Sequence, residues 1–205
     1  VGPGAQTVLE MLTGNDVELH VYECMRSAID GVRVLVCRTD FVRPCAYDLI
    51  VEKDYANVLW EMLLSVDLTP VGEDALDVLR IEQGIPCYDR ELTEDFNPLE
   101  AGLRDFISFN KGCYVGQEVV ARLDTYDKVQ KCLVGLEWES DIILGDTMKL
   151  LSDGRQVGVV TSVAKSAMTG KGIGLGYVRR MYGDRGTVLG SDVAGVGSVV
   201  VSSRF

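Results

Sequence analysis

The last third of the chain restricts the fold more than any other part. From about Lys128 to Phe205 it breaks into short apolar, β-branched runs at Lys131–Glu137, Thr147–Leu151, Gln156–Val163, Gly174–Val178, Gly186–Leu189 and Val196–Val201. Turn residues separate the runs at hairpin spacing, and Asp153-Gly154 is a strong two-residue turn signal. No convincing helical period appears there. This is the pattern of a small antiparallel barrel or sandwich.

The text before it is mixed. A helix over Thr7 to Leu12 ends near Gly14, a plausible left-handed stop. Val32–Val36 and Tyr47–Val51 read as strands, with Asp30-Gly31 as the hairpin turn before the first of them. Asp54 is expected to cap a helix running through Leu64, with Val58 and Met62 on its buried face. A second helix, about Glu73 to Gln83, stops at Gly84 with Pro86 close behind. From Pro86 to Asn110 periodicity is lost and acidic and turn residues dominate, among them Asp89, Glu91, Glu94, Asp95 and Asn97. Long connectors of this kind are functional or disordered. Strands in antiparallel order with helices beside them predict an α+β fold. The loss of helical period after Leu123 puts the start of the β-rich region near Tyr126 to Gln130.

The apolar fraction of 47% supplies a core, and the formal net charge of −11 argues against nonspecific nucleic-acid or anionic-membrane partners. No apolar run reaches the roughly 18 residues of a bilayer span. Six cysteines are scattered without a C-x-x-C pair, which suits reduced thiols and predicts no resident metal site. His20, the one histidine, sits between Leu19 and Val21 and reads as structural. The text at Val1 reads as mid-protein, so a fragment or trimmed chain is expected.

Chemistry concentrates in Asn110-Lys111-Gly112-Cys113-Tyr114-Val115-Gly116-Gln117-Glu118. Two glycines permit tight turns or close approach to a ligand. Lys111 stands two residues before Cys113, close enough to favour a thiolate. The following Glu118–Leu123 reads as a short helix with Val115, Val119 and Leu123 on one face, so Cys113 is expected at or near a helix N-terminus. A tight turn around a buried Cys113 is the competing reading. Lys-Gly-Cys-Tyr-Val-Gly-Gln-Glu closely resembles the signature of the YgfZ/IBA57 family, folate-binding proteins linked to iron–sulfur cluster assembly or repair and related to the aminomethyltransferase (T-protein) of the glycine cleavage system. Gly158–Ser162 and Gly172–Val178 resemble the C-terminal barrel of the aminomethyltransferases.

This resemblance implies a partial T-protein-like folate-binding α+β domain over residues 1–127 and a C-terminal β-barrel over residues 128–205. It also implies tetrahydrofolate, or a one-carbon derivative, as cofactor. Arg80–Pro86 and Asn97–Leu103 resemble two phrases that contribute pterin-binding carboxylates, which fall here on Glu82 and Glu100. The chemistry fits: a pterin edge of N–H donors pairs with a carboxylate side by side. The two acids are expected to approach one cavity; the bland readings are a solvated helix charge for Glu82 and a helix-turn acid for Glu100. Lys111 falls where the transferases carry a cation near the folate, and Gly112, Tyr114 and Gln117 belong to the same candidate site. Arg122 fits a surface pair with Glu118 at helical spacing.

Three functions compete. One is a folate-dependent accessory protein for iron–sulfur enzymes, with Cys113 as working thiol, Lys111 beside it, and assembly proteins or client enzymes as partners. The second is aminomethyl transfer to tetrahydrofolate. The third is a folate-fold scaffold without chemistry. The resemblance implies a cytoplasmic protein if bacterial, and otherwise one of an organelle matrix.

Overall fold

The computed structural model describes residues 1–39, 41–66, 68–126, 128–139 and 148–205. The chain divides into two compact units, Val1–Leu76 and Asp77–Phe205. Residues 77–130 therefore fold with the barrel, whereas the end of helical periodicity puts a boundary at 127/128.

The first unit holds α1 (Ala5–Thr13), β1 (Cys24–Ile29), β2 (Val32–Thr39), β3 (Ala46–Val51) and α2 (Ala56–Leu64). The strands form an antiparallel sheet in the order β1-β2-β3. Asp30 and Gly31 both take positive φ, 45° and 80°, so this two-residue turn has the twist a tight hairpin needs. Alternate residues Val32, Val34 and Val36 of β2 point to one core with Leu9, Val17, Ile29 and Leu59. Gly14 ends α1 in the left-handed conformation, its N–H donating to Glu10 O at 2.9 Å.

The structure departs from the sequence reading in three respects. Asp54 does not cap α2. It lies inside a 3-10 turn, Lys53–Tyr55, which feeds directly into the helix. Of α2 it is Leu59 that is buried, while Val58 is exposed and Met62 only half-buried. The cysteines are not all reduced either, because Cys24 and Cys37 form a disulfide. They are register partners on β1 and β2, with Cα atoms 4.1 Å apart. Antiparallel partners of that closeness bring their side chains together. Scattered spacing in sequence hid this pairing.

α3 (Glu73–Gln83) crosses the division between the units and stops at Gly84, φ 77°. Beyond α4 (Gln117–Thr125) come β4 (Lys131–Trp138), β5 (Lys149–Ser152), β6 (Arg155–Lys165), β7 (Gly172–Arg179), β8 (Val188–Ser191) and β9 (Val199–Arg204). They close an antiparallel barrel in the order β4-β7-β6-β5-β8-β9. Thr147, expected to open the second strand, lies outside the described residues. Asp153-Gly154 turns β5 into β6 with φ 50° and 73°.

β7 is buried on both sides along Gly172–Val178. One side is glycine, at 172, 174 and 176. A Cβ on Gly172 would overlap the Trp138 ring, and one on Gly174 would come within 2.7 Å of Ser162 O. The other side carries Ile173, Leu175 and Tyr177, which pack with Ile81, Ala101 and Leu133. The glycines let the barrel interior close around Trp138, while the large residues face outward to hold the 77–103 segment.

Candidate functional site

Glu82 stands on the last turn of α3, beside Ile81, which anchors that helix to the barrel cluster. Its carboxylate is exposed but not loose, since Ser166 Oγ donates to Oε1 at 2.6 Å. Ser166 follows β6 in the β6–β7 connection. The two side chains border a cavity of about 230 Å³, whose wall includes Gly135, Thr169, Ser202 and Ser203. A Cβ on Gly135 would stand 2.5 Å from Ser203 Oγ and 2.9 Å from Ser202 Oγ, so glycine keeps that wall open. The volume is below the roughly 300–1,000 Å³ of a whole small-molecule pocket. It suits the head of a ligand. Two glutamates, Glu82 and Glu137, line the cavity among hydroxyls, and carboxylate acceptors suit a head that presents N–H donors.

Glu100 does not line this cavity. It is buried at 9% exposure in the turn that begins at Asn97. Its Oε2 accepts the Asn97 N–H at 3.2 Å, while Asn97 Oδ1 accepts from Leu99 N and Glu100 N at 3.0 Å each. This reciprocal pairing engages one carboxylate oxygen locally, as in a capping box. The two phrases meet all the same, through their glycines. Glu82-Gln83-Gly84 and Glu100-Ala101-Gly102 share a spacing, and both glycines have positive φ, 77° and 74°. A Cβ on Gly84 would overlap the Phe205 ring, and one on Gly102 would lie 2.9 Å from the Phe205 carbonyl carbon. The glycines of both phrases therefore seat Phe205.

The cysteine motif is arranged differently from expectation. Cys113 is exposed and is followed by a turn; α4 begins only at Gln117, with Gly116 (φ 87°) as the residue before it. Four residues of separation put the thiol outside the turn where helix N–H groups and the dipole act. Lys111 places its Nζ 4.7 Å from the Tyr114 ring centre, a cation–π contact that directs the charge to the ring. Gly112 is exposed, Tyr114 and Gln117 are half-buried, and Gln117 N donates to Tyr114 O at 3.2 Å. Of the apolar stripe, Val115 and Val119 are exposed and Leu123 is half-buried. None of Lys111, Gly112, Cys113, Tyr114 or Gln117 lines the Glu82 cavity.

The residue the sequence hid is Glu91. It reads as one acid of an acidic connector, yet it has no exposed surface. Its Oε2 accepts from Arg80 at 3.0 Å and Cys87 N at 2.9 Å; its Oε1 accepts from Thr161 Oγ1 at 2.5 Å and Ser162 Oγ at 2.6 Å. Tyr177 donates to Glu91 O at 3.0 Å and stacks on Phe96. Burial, then the charges of Glu91 and Glu100, push the Tyr177 phenol well above its ordinary value.

Residues 1–111 match the GCVT N-terminal domain family, and residues 131–205 match the glycine cleavage T-protein C-terminal barrel domain. The chain belongs to the glycine cleavage T-protein family. It is 34% identical over 202 residues to a putative chloroplastic transferase of Arabidopsis thaliana, covering 97% of this chain and 46% of that protein. It is 31% identical over 211 residues to an aminomethyltransferase of Desulfitobacterium hafniense, covering 100% of this chain and 58% of the relative. Among solved structures, aminomethyltransferase T of the Bartonella henselae glycine cleavage system superposes with a TM-score of 0.83 at 25% identity, over 98% of this chain and 56% of that one. The chain thus spans about half the length of the curated relatives it matches.

Proposed function

We propose that this chain carries a pterin-binding portion of a tetrahydrofolate-dependent protein of the YgfZ/IBA57 type, which supports iron–sulfur cluster assembly or repair through the Cys113 thiol. The observation that carries the folate reading is the Glu82 carboxylate, held by Ser166 at the edge of a hydroxyl-walled cavity. Glu82 accepts the N–H edge of the heterocycle, and the exclusion of a side chain at Gly135 leaves room for the ring. Bound tetrahydrofolate supplies a carrier for one-carbon units. The iron–sulfur reading rests on Lys-Gly-Cys-Tyr-Val-Gly-Gln-Glu, whose cysteine is the exposed one among the free cysteines described. Its partners are assembly proteins or client enzymes. The chloroplastic relative favours an organelle setting.

A second reading, aminomethyl transfer to tetrahydrofolate, is favoured by the relatives named aminomethyltransferase. Two measurements separate the possibilities. Titration with 5-formyltetrahydrofolate should show binding that Glu82→Gln weakens about ten- to a hundredfold, the worth of one charge-assisted hydrogen bond. Unchanged affinity in that variant would sink the folate site. In cells that lack the protein, Cys113→Ala should fail to restore iron–sulfur enzyme activity while its folate affinity stays intact; full restoration would leave the transfer reading in place.

A further inference from the structure

We propose that Ser166 is the positioning residue of the Glu82 site: it fixes the carboxylate as an acceptor at the cavity and so selects a ligand that presents N–H donors. The proposal rests on the folate reading above. Glu82 is exposed on a helix, and a free glutamate there would sample many rotamers and lose that freedom on binding. Ser166 prevents this. It is 4% exposed, and its own backbone is held in the β6–β7 connection, N–H to Lys171 O at 3.0 Å and carbonyl from Gly170 N at 3.0 Å.

The direction of the Ser166–Glu82 bond is also determined. A hydroxyl has one hydrogen and two acceptor positions. Met168 N and Thr169 N both donate to Ser166 Oγ, each at 3.3 Å, so its acceptor positions are taken. The one hydrogen remains for Glu82 Oε1, at 2.6 Å. Ser166 therefore serves Glu82 only as a donor, and Glu82 Oε1 is matched as an acceptor. A ligand edge of N–H groups meets free lone pairs. An edge of acceptors would face the carboxylate without a hydrogen between them, a mismatch that acts against the wrong ligand.

The test is titration of the whole chain with 5-formyltetrahydrofolate, using variants at both positions. Ser166→Ala should weaken binding about tenfold, and Ser166→Thr, which keeps the hydroxyl, should return it to within about twofold of the original. Ser166→Cys fills the same space with a poor donor and should behave like Ala, which covers the case where Ala disturbs the connection. If Ser166→Cys binds as tightly as the original chain while Glu82→Gln binds weakly, the positioning role is wrong and the folate site stands. If Ser166→Thr binds as weakly as Ala, the effect is one of packing and the positioning role is likewise overturned. If the unmodified chain shows no binding, or Glu82→Gln leaves it unchanged, the folate reading fails and this proposal falls with it.

Discussion

Glu91 has both carboxylate oxygens occupied by partners from three stretches of the second unit. Its cation, Arg80, is 2% exposed and also bonds Asp77, Ile85 O and Ser162. Such a pair is costly to break from one side, because the other charge stays buried. Glu91→Gln should lower the unfolding free energy by about 3–5 kcal/mol in urea titrations; a loss under about 1 kcal/mol would mean the network is dispensable. Tyr177 beside it gives a pH signature. Its phenol is raised above the ordinary value of 10.0, so the folded state keeps a proton that the unfolded chain releases. That contribution is complete below about pH 10 and declines as pH rises beyond it. Tyr177→Phe should cost about 1 kcal/mol at neutral pH through the lost bond to Glu91 O, and its stability should fall less steeply above pH 10. Parallel slopes in the two proteins would contradict this. Neither Glu91 nor Ser166 was legible in the sequence as a partner. Thr161 and Ser162 lie 70 and 71 positions from Glu91, and Ser166 lies 84 from Glu82, so no local pattern joins them. Glu82 was singled out by the phrase around it, and its side chain borders the cavity.

Among the elements, the barrel strands could be read in advance because they are apolar runs separated by turn residues at hairpin spacing, as at Asp153-Gly154. α3 was readable from its stop at Gly84. α2 was readable as a helix ending at Leu64, but its buried face was not, since its outward side is nearly as apolar as its buried one: Val58, Trp60 and Leu64 are exposed. The glycines of β7 are a packing surface that the strand pattern does not reveal. Gly172→Ala, whose methyl would overlap Trp138, should destabilise the chain by about 1–3 kcal/mol with a matching loss of near-ultraviolet signal from that indole. Gly154→Ala, by contrast, meets no neighbour within 4 Å, and its cost should come from positive φ alone, about 1 kcal/mol. Equal losses at the two positions, in thermal denaturation, would rule out the overlap as the cause.

For the whole molecule, compactness and the helical pattern divide the chain at different places. Ile173, Leu175 and Tyr177 face out of the barrel and are covered by Ile81, Ala101 and their neighbours. A fragment of residues 128–205 exposes that face and should aggregate or bind a hydrophobic dye, whereas residues 77–205 should stay monodisperse in gel filtration. A soluble, dye-silent 128–205 fragment would show that the barrel needs no cover. A strand with no free side is a constraint on heredity as well as on stability. Gene fusion, fission or exchange between relatives at the start of the barrel would separate a pair of surfaces that must descend together. Breakpoints tolerated in this lineage should therefore fall ahead of Asp77.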